Sequence, residues 1–214
     1  MAVKLIEDTG FGQLGLWEIT ESVDQLLELL NPKIEELTGF VHFRHEGRRK
    51  EWLATRLLVK KMRGHNTEIG YYSDGKPRLL NLHGNISISH ASGFVAIYYH
   101  PNFQPGIDIE PISRNVIRVA NKFLSLEELK DCNFENQLSN KELVLRWCAK
   151  EAVFKMVPYS EIDFGSQIAC KAKPLNTNEG KMSATFKTSD ISVEIPLNFR
   201  LINDLLIVWG YLEN

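Results

Sequence analysis

The chain has 214 residues, at the upper edge of what one core holds. Its 43% hydrophobic and 24% charged residues are an ordinary globular balance that excludes wholesale disorder. With 25 basic against 27 acidic residues the net charge is −2, which excludes a surface built throughout for nucleic acid or anionic membrane. The charge is uneven, however: Arg44, Arg48, Arg49, Lys50, Arg56, Lys60, Lys61 and Arg63 cluster against only Glu46 and Glu51. Such a basic stretch in a neutral protein fits one compact polyanionic ligand better than a long polymer.

The three cysteines, Cys132, Cys148 and Cys170, form no CxxC pair, which argues against a disulfide framework or zinc ribbon and for a reducing compartment. The start of the chain carries Lys4, Glu7 and Asp8 and reads as no signal peptide. The longest apolar runs, 94–99 and 205–212, are too short to span a bilayer. A soluble, cytoplasmic protein is expected.

In chain order, residues 14–20 read as a strand, and Ser22 as the N-cap of a helix over 23–30. Pro32 suits the first position of another short helix. Residues 46–63 read as a long helix with Trp52, Thr55, Leu58, Val59 and Met62 on one side, stopped by Gly64. Residues 73–77 form a tight loop, and strands follow at 86–89 and 94–99 around Ala91-Ser92-Gly93. Pro101 and Pro105 bracket the midpoint turn, dividing the chain into halves 1–105 and 106–214. A short strand at 106–110 comes next. Ser125…Glu128 and Ser139…Glu142 match the capping box, and the second helix runs through Met156 to stop before Pro158. Residues 164–211 read as four or five strands with turns at 176–180 and 188–190. Trp52-x-Ala54-x-Arg56-x-x-x-Lys60 echoes Trp147-x-Ala149-x-Glu151-x-x-x-Lys155, which favours two similar α+β halves.

The chemistry concentrates in the second half. On a strand over Gly106-Ile107-Asp108-Ile109-Glu110, the two isoleucines point into the core while Asp108 and Glu110 project together the other way. Two carboxylates on one face repel unless a cation or donor lies between them; the plain alternative is a solvated edge strand. On the later helix, Leu143, Trp147 and Phe154 form an apolar stripe with Val144 at its border, and Glu151 falls inside it, one turn before Lys155. An i,i+4 pair between Glu151 and Lys155 explains the charges but not their place beside Trp147. Asp108, Glu110 and Glu151 offer only hard oxygen donors, which suits Mg²⁺ or Mn²⁺ shared with a phosphate. Arg48, Arg49 and Arg56 supply forked donors for phosphate, with Lys76 and His90 as further anion contacts.

Taken together these residues resemble the 4′-phosphopantetheinyl transferase superfamily, in its Sfp-like (surfactin-synthetase-activating) branch. The resemblance rests on Gly106–Glu110, Trp147-Cys148-Ala149-Lys150-Glu151-Ala152-Val153-Phe154-Lys155, the Gly75-Lys76-Pro77 loop, Ile86-Ser87-Ile88-Ser89-His90 and the helix carrying Arg48, Arg49 and Arg56, from about residue 44 to 156. It implies an α+β fold of two subdomains related by a pseudo-twofold, with the active site in the cleft between them. It implies transfer of the 4′-phosphopantetheine arm of coenzyme A to a serine of an apo acyl or peptidyl carrier protein, releasing adenosine 3′,5′-bisphosphate.

Under the resemblance Asp108, Glu110 and Glu151 are metal ligands, Glu151 is also the general base, and Lys155 neutralises the transferring phosphoryl group. Asp108 and Lys155 also belong to the coenzyme A site. Ser89 and His90 line its phosphates, Lys76 and Pro77 lie near its adenine nucleotide, and Arg48, Arg49 or Arg56 meets the 3′-phosphate. Arg114, Arg118, Lys122 and Phe123 lie on or beside the segment that resembles the carrier-facing one; the equal alternative is an ordinary amphipathic helix with Phe123 in the core. Cys148 stands where the family usually has Ser or Thr, and reads as a packing residue. A monomer is expected, with no nucleic-acid or membrane partner. The rivals are a metal-dependent nuclease, disfavoured because Glu151 and Lys155 are four apart on a helix, and a catalytically silent coenzyme A- or carrier-binding protein.

Overall fold

In the computed structural model, which describes residues 3–37, 39–131, 139–159, 161–171 and 176–213, strand β1 (Val3–Asp8) pairs antiparallel with β2 (Gln13–Glu18). β1 escapes the sequence reading because its polar alternation is that of a half-exposed edge strand. Ser22 caps α1 (Val23–Leu30) through a reciprocal capping box with Gln25. Asn31, at φ 44°, closes that helix, so the next turn is a 3₁₀ segment at Ile34–Leu37, and Pro32 precedes it instead of starting it. A second 3₁₀ turn, Phe40–His42, leads into α2 (Glu46–Arg63). Gly64 ends α2 at φ 107°, its N–H reaching the Lys60 carbonyl. The predicted face Trp52, Thr55, Leu58, Val59 and Met62 is buried.

β3 (Ile69–Tyr71) and β4 (Pro77–Leu79) form a separate hairpin around the predicted loop. β5 (Asn85–Ala91) and β6 (Phe94–His100) pair across Ser92-Gly93, both at positive φ, the two-residue turn that matches strand twist. The sheet order is β1-β2-β6-β5. α2 seats directly on β2: a side chain at Gly15 would strike Met62 and Leu58. Trp17, Leu53, Leu58, Ile86 and Ile97 are the centre of this unit's core.

The chain divides after Asn102 into two compact units, Met1–Asn102 and Phe103–Asn214. The second opens with β7 (Gln104–Pro111), so Pro105 lies inside a strand and does not bracket the turn. The segment after β7 is broken into a 3₁₀ turn (Ile117–Val119), α3 (Ala120–Phe123) and α4 (Leu126–Asp131). α5 (Asn140–Met156) has the predicted capping box at Ser139 and Glu142. A short α6 (Phe164–Gln167) precedes β8 (Ile168–Lys171), β9 (Glu179–Lys187), β10 (Ser192–Ile202) and β11 (Leu205–Leu212). All pairs in the five-stranded sheet are antiparallel, in the order β7-β11-β10-β9-β8. Each unit thus packs one long helix on an antiparallel sheet, a mixed α and β fold. Among the described residues no helix is long and apolar enough to cross a membrane.

α5 is buried almost all round, with Val144, Cys148, Ala149, Ala152, Val153 and Met156 against the sheet. The expected stripe through Trp147 and Phe154 is its half-buried flank, covered by the rings of Phe123 and Phe164. Cys148 is fully buried, as a packing residue should be; Cys132 lies outside the described residues.

The sequence reading did not single out Lys150, which has no exposed surface. Its Nζ donates to Glu128 Oε2 at 2.7 Å and to the carbonyls of Phe164 and Ile168, so all three ammonium protons are used. Glu128 Oε1 accepts from the Cys170 N–H at 2.9 Å, and Oε2 accepts from the Ser125 N–H at the start of α4. One buried pair therefore ties α4, α5, α6 and β8 together. Glu128→Ala would strand the lysine charge in the core, at a cost of about 3–5 kcal/mol. A urea titration of the variant should show a large fall in midpoint, and an unchanged midpoint would contradict this.

Candidate active site

β7 carries three residues on the face toward α5: Gly106, Asp108 and Glu110. Gly106 is required there, because a Cβ would collide with the Ala152 carbonyl and the Met156 side chain. Only that close approach lets α5 side chains reach β7. Lys155 donates to Asp108 Oδ1 at 2.8 Å and to the Ile107 carbonyl at 2.7 Å. Trp147 Nε1 donates to Glu110 Oε1 at 3.3 Å.

This reverses the expected burial. Ile107 and Ile109 are buried, but on the opposite sheet face, outside the hydrophobic cluster of this unit. Asp108 and Glu110 face the helix layer and are themselves 5% and 8% exposed. The physical reason is that α5 brings an ammonium and an indole N–H to that face, so the carboxylates are buried with donors in place.

Lys155 pairs with Asp108, and among the described residues it has no ion pair with Glu151. Glu151 stays half-buried on the aromatic flank. Burial raises its carboxyl above the usual glutamate value, the Asp108 charge raises it further, and Lys155 and Arg114 partly oppose the shift. Burial first, then the Asp108 charge, also pushes the Cys148 thiol far up, so no thiolate is available there.

Arg114 belongs to this cluster. Its guanidinium pairs with Glu110 Oε1 and lies 5.1 Å from the Trp147 ring centre. The turn that carries it is pinned to the start of α5, where Asn140 Nδ2 donates to the carbonyls of Ile112 and Arg114 at 2.8 and 2.9 Å. Sequence reasoning had grouped Arg114 with the carrier-facing segment; the available signal was its position four residues after Glu110. Of the two readings of Phe123, the core one holds: it is 1% exposed and packs edge-on against Trp147.

Asp108 and Glu110 on one face of β7, and Glu151 within reach of the Asp108 charge, are hard-oxygen donors whose chemistry fits a divalent cation. Among the described residues no three His, Cys, Asp or Glu side chains stand close enough to hold one as they are. Lys155 and Arg114 engage Asp108 and Glu110 instead.

A second polar group lies wholly within the first unit, around a cavity of about 350 Å³ lined by Arg48, Glu51, Trp52, Thr55, Tyr71, Pro77 and His90 among others. Arg48 Nη1 is 2.8 Å from His90 Nε2 and 3.0 Å from Glu51 Oε2. The other two candidate arginines lie against aromatic rings: Arg49 over Phe40 at 4.7 Å and Arg56 over Trp52 at 3.4 Å. Ser89 and His90 were expected as a pair, but alternation on β5 sends them to opposite faces. His90 shares the Ile86 and Ile88 face toward α2, and Ser89 is buried on the other. Lys76 is half-buried on the β3–β4 loop, and burial lowers its ammonium pKa against the opposing pull of Asp74. Glu51, Trp52 and Tyr71 were not among the expected site residues; Glu51 sits one helical turn from Arg48, a spacing that could have drawn attention to it.

Residues 104–198 match the family model of the 4′-phosphopantetheinyl transferase superfamily. The matched stretch carries Asp108, Glu110, Arg114, Trp147, Glu151 and Lys155, and it supports that superfamily for this chain. No curated protein matches the chain.

The raised Glu151 carboxyl has a stability consequence whose sign is fixed. The folded protein holds this proton more tightly than the unfolded chain, so ionised Glu151 destabilises the fold above its raised pKa. The cost is absent below the ordinary glutamate value. Glu151→Gln should raise Tm at pH 7–8 by roughly 1–4 °C, with the gain vanishing near pH 4. Thermal melts across that range check it; a gain largest in acid would refute the assignment.

Proposed function

We propose that this protein is an Sfp-like 4′-phosphopantetheinyl transferase, carrying the phosphopantetheine arm of coenzyme A to a serine hydroxyl of an apo acyl or peptidyl carrier protein. The observation that carries the reading is the Lys155–Asp108 pair where β7 meets α5, with Glu151 under the charge of both, inside the stretch that matches the superfamily. Two α and β units in one polypeptide favour the Sfp-like branch over a shorter holo-carrier synthase.

In this mechanism the carrier serine Oγ attacks the β-phosphorus of coenzyme A. The bridging P–O bond breaks, and adenosine 3′,5′-bisphosphate leaves with that oxygen. Phosphoryl transfer of this kind needs positioning and charge neutralisation more than covalent chemistry. Glu151, its carboxyl raised by burial and by the Asp108 charge, takes the serine proton. Lys155, held by Asp108 and the Ile107 carbonyl, presents positive charge to the transferring phosphoryl group. Asp108, Glu110 and Glu151 would hold Mg²⁺, or Mn²⁺, whose charge when bound supplements that of Lys155.

In the first unit, Arg48 and His90 are the groups assigned to the 3′-phosphate, with Pro77 and Lys76 toward the nucleotide and Ser89 behind the sheet. Arg49 and Arg56 act through stacking. Arg118 and Lys122, beside exposed Ile117 and Val119, offer a basic and apolar face to an acidic carrier.

Intact masses of a purified apo carrier, incubated with coenzyme A, Mg²⁺ and the protein, test the reading. A gain of one phosphopantetheine, abolished by EDTA, is expected. No gain with acyl, polyketide and peptidyl carriers would overturn it and leave coenzyme A binding alone. Glu151→Gln should lose turnover by at least about a hundredfold with coenzyme A affinity little changed. Arg48→Ala should raise KM for coenzyme A about tenfold or more while kcat holds, and Arg49→Ala should not.

A further inference from the structure

The acid cluster contains a cation that the mechanism above does not use. Arg114 is bonded to Glu110, stacked beside Trp147 and within the electrostatic reach of Glu151. Its backbone is fixed: the Arg114 N–H donates to the Pro111 carbonyl at 2.9 Å, and Asn140 at the head of α5 holds the Arg114 carbonyl. Its side chain is 44% exposed, whereas the side chain of Glu110 is only 11% exposed. A rigid root and a solvent-accessible head allow the guanidinium to leave Glu110 without moving the turn.

With Lys155 on Asp108 and Arg114 on Glu110, the cluster holds two cations against three carboxylates. The two differ in kind. Lys155 reaches a backbone carbonyl as well as Asp108 and is only 25% exposed, so it is anchored. Arg114 has its carboxylate and an aromatic face, and can exchange both for water.

We propose that Arg114 is a positioning residue that acts as a displaceable counter-ion: it holds Glu110 and Trp147 in place before a divalent cation binds, and yields Glu110 to that cation. This inference rests on the transferase reading only in taking Asp108, Glu110 and Glu151 as the cation's ligands. Arg114 then opposes the incoming charge, so removing it tightens divalent-cation binding. Once Arg114 has swung out into water, its guanidinium and a dication about 6 Å apart still repel, at the dielectric constant of bulk water, enough to change affinity about tenfold.

Mn²⁺ binding to the purified full-length protein, without coenzyme A or carrier, is the test, read by the loss of free Mn²⁺ signal in electron paramagnetic resonance. Arg114→Gln should bind Mn²⁺ about tenfold more tightly than wild type, and Arg114→Lys should return to within about threefold of it. Asp108→Asn should abolish the site. A merely structural role for Arg114 would weaken binding or leave it unchanged in Arg114→Gln, and either result overturns the proposal. If wild type binds Mn²⁺ and modifies a carrier while Arg114→Gln binds no tighter, the counter-ion fails and the transferase reading stands. If neither wild type nor Arg114→Gln binds Mn²⁺, both this proposal and the metal-dependent form of the reaction fall. Thermal melts in EDTA confirm that each variant is folded.

Discussion

The second unit depends on how closely α5 lies on β7. A glycine at 106 allows the helix backbone near Ala152 to come against the strand, and every polar contact of the acid cluster follows from that distance. With a wider gap, Lys155 could not reach both Asp108 and the Ile107 carbonyl, and Trp147 could not reach Glu110. The same approach forces the strand's carboxylates into a nearly dry layer. Buried carboxylates persist only with donors or counter-charges, and the helix brings both.

The charge balance of that layer is uneven by design of the packing. Asp108 and Glu110 each have a cation in contact, whereas among the described residues Glu151 feels Lys155 and Arg114 through space. Burial, then the Asp108 charge, holds the helix glutamate's carboxyl above its ordinary value, so that it keeps its proton to higher pH than a free glutamate would. Behind it, the Lys150–Glu128 pair faces the other way into the core and is fully hydrogen-bonded. Neighbouring residues 150 and 151 thus divide the work: one locks α5 to α4, α6 and β8, the other stays half exposed on the aromatic flank.

In the first unit, aromatic rings sort the arginines. Phe40 and Trp52 take the guanidinium faces of Arg49 and Arg56, which leaves Arg48 beside His90 and Glu51 at the cavity wall. Three basic residues that look equivalent along a helix become unequal once their neighbours are known: a ring beneath the guanidinium fixes where the N–H edges of Arg49 and Arg56 can point, whereas the N–H edge of Arg48 is the one held at the cavity by His90 and Glu51.

Much was legible without coordinates. The ends of α2 and α5, the Ser22 and Ser139 caps and the Ser92-Gly93 turn are local events, set by a few adjacent residues and their backbone preferences. The motif residues Asp108, Glu110, Glu151 and Lys155 were legible too, because strand and helix periodicities put each pair on one face. What the sequence could not decide was which face met which partner. Alternation separates Ile107 from Asp108 but does not say which side α5 covers, and it separates Ser89 from His90 without saying which looks into the cavity. Likewise, helical spacing offered Glu151 as the partner of Lys155, but the strand beside it supplied Asp108. Arg114 joined the acids and Lys150 found Glu128 only because segments distant in sequence pack together. Periodicity is a property of one segment, whereas the pairing of charges depends on which segments the core brings into contact.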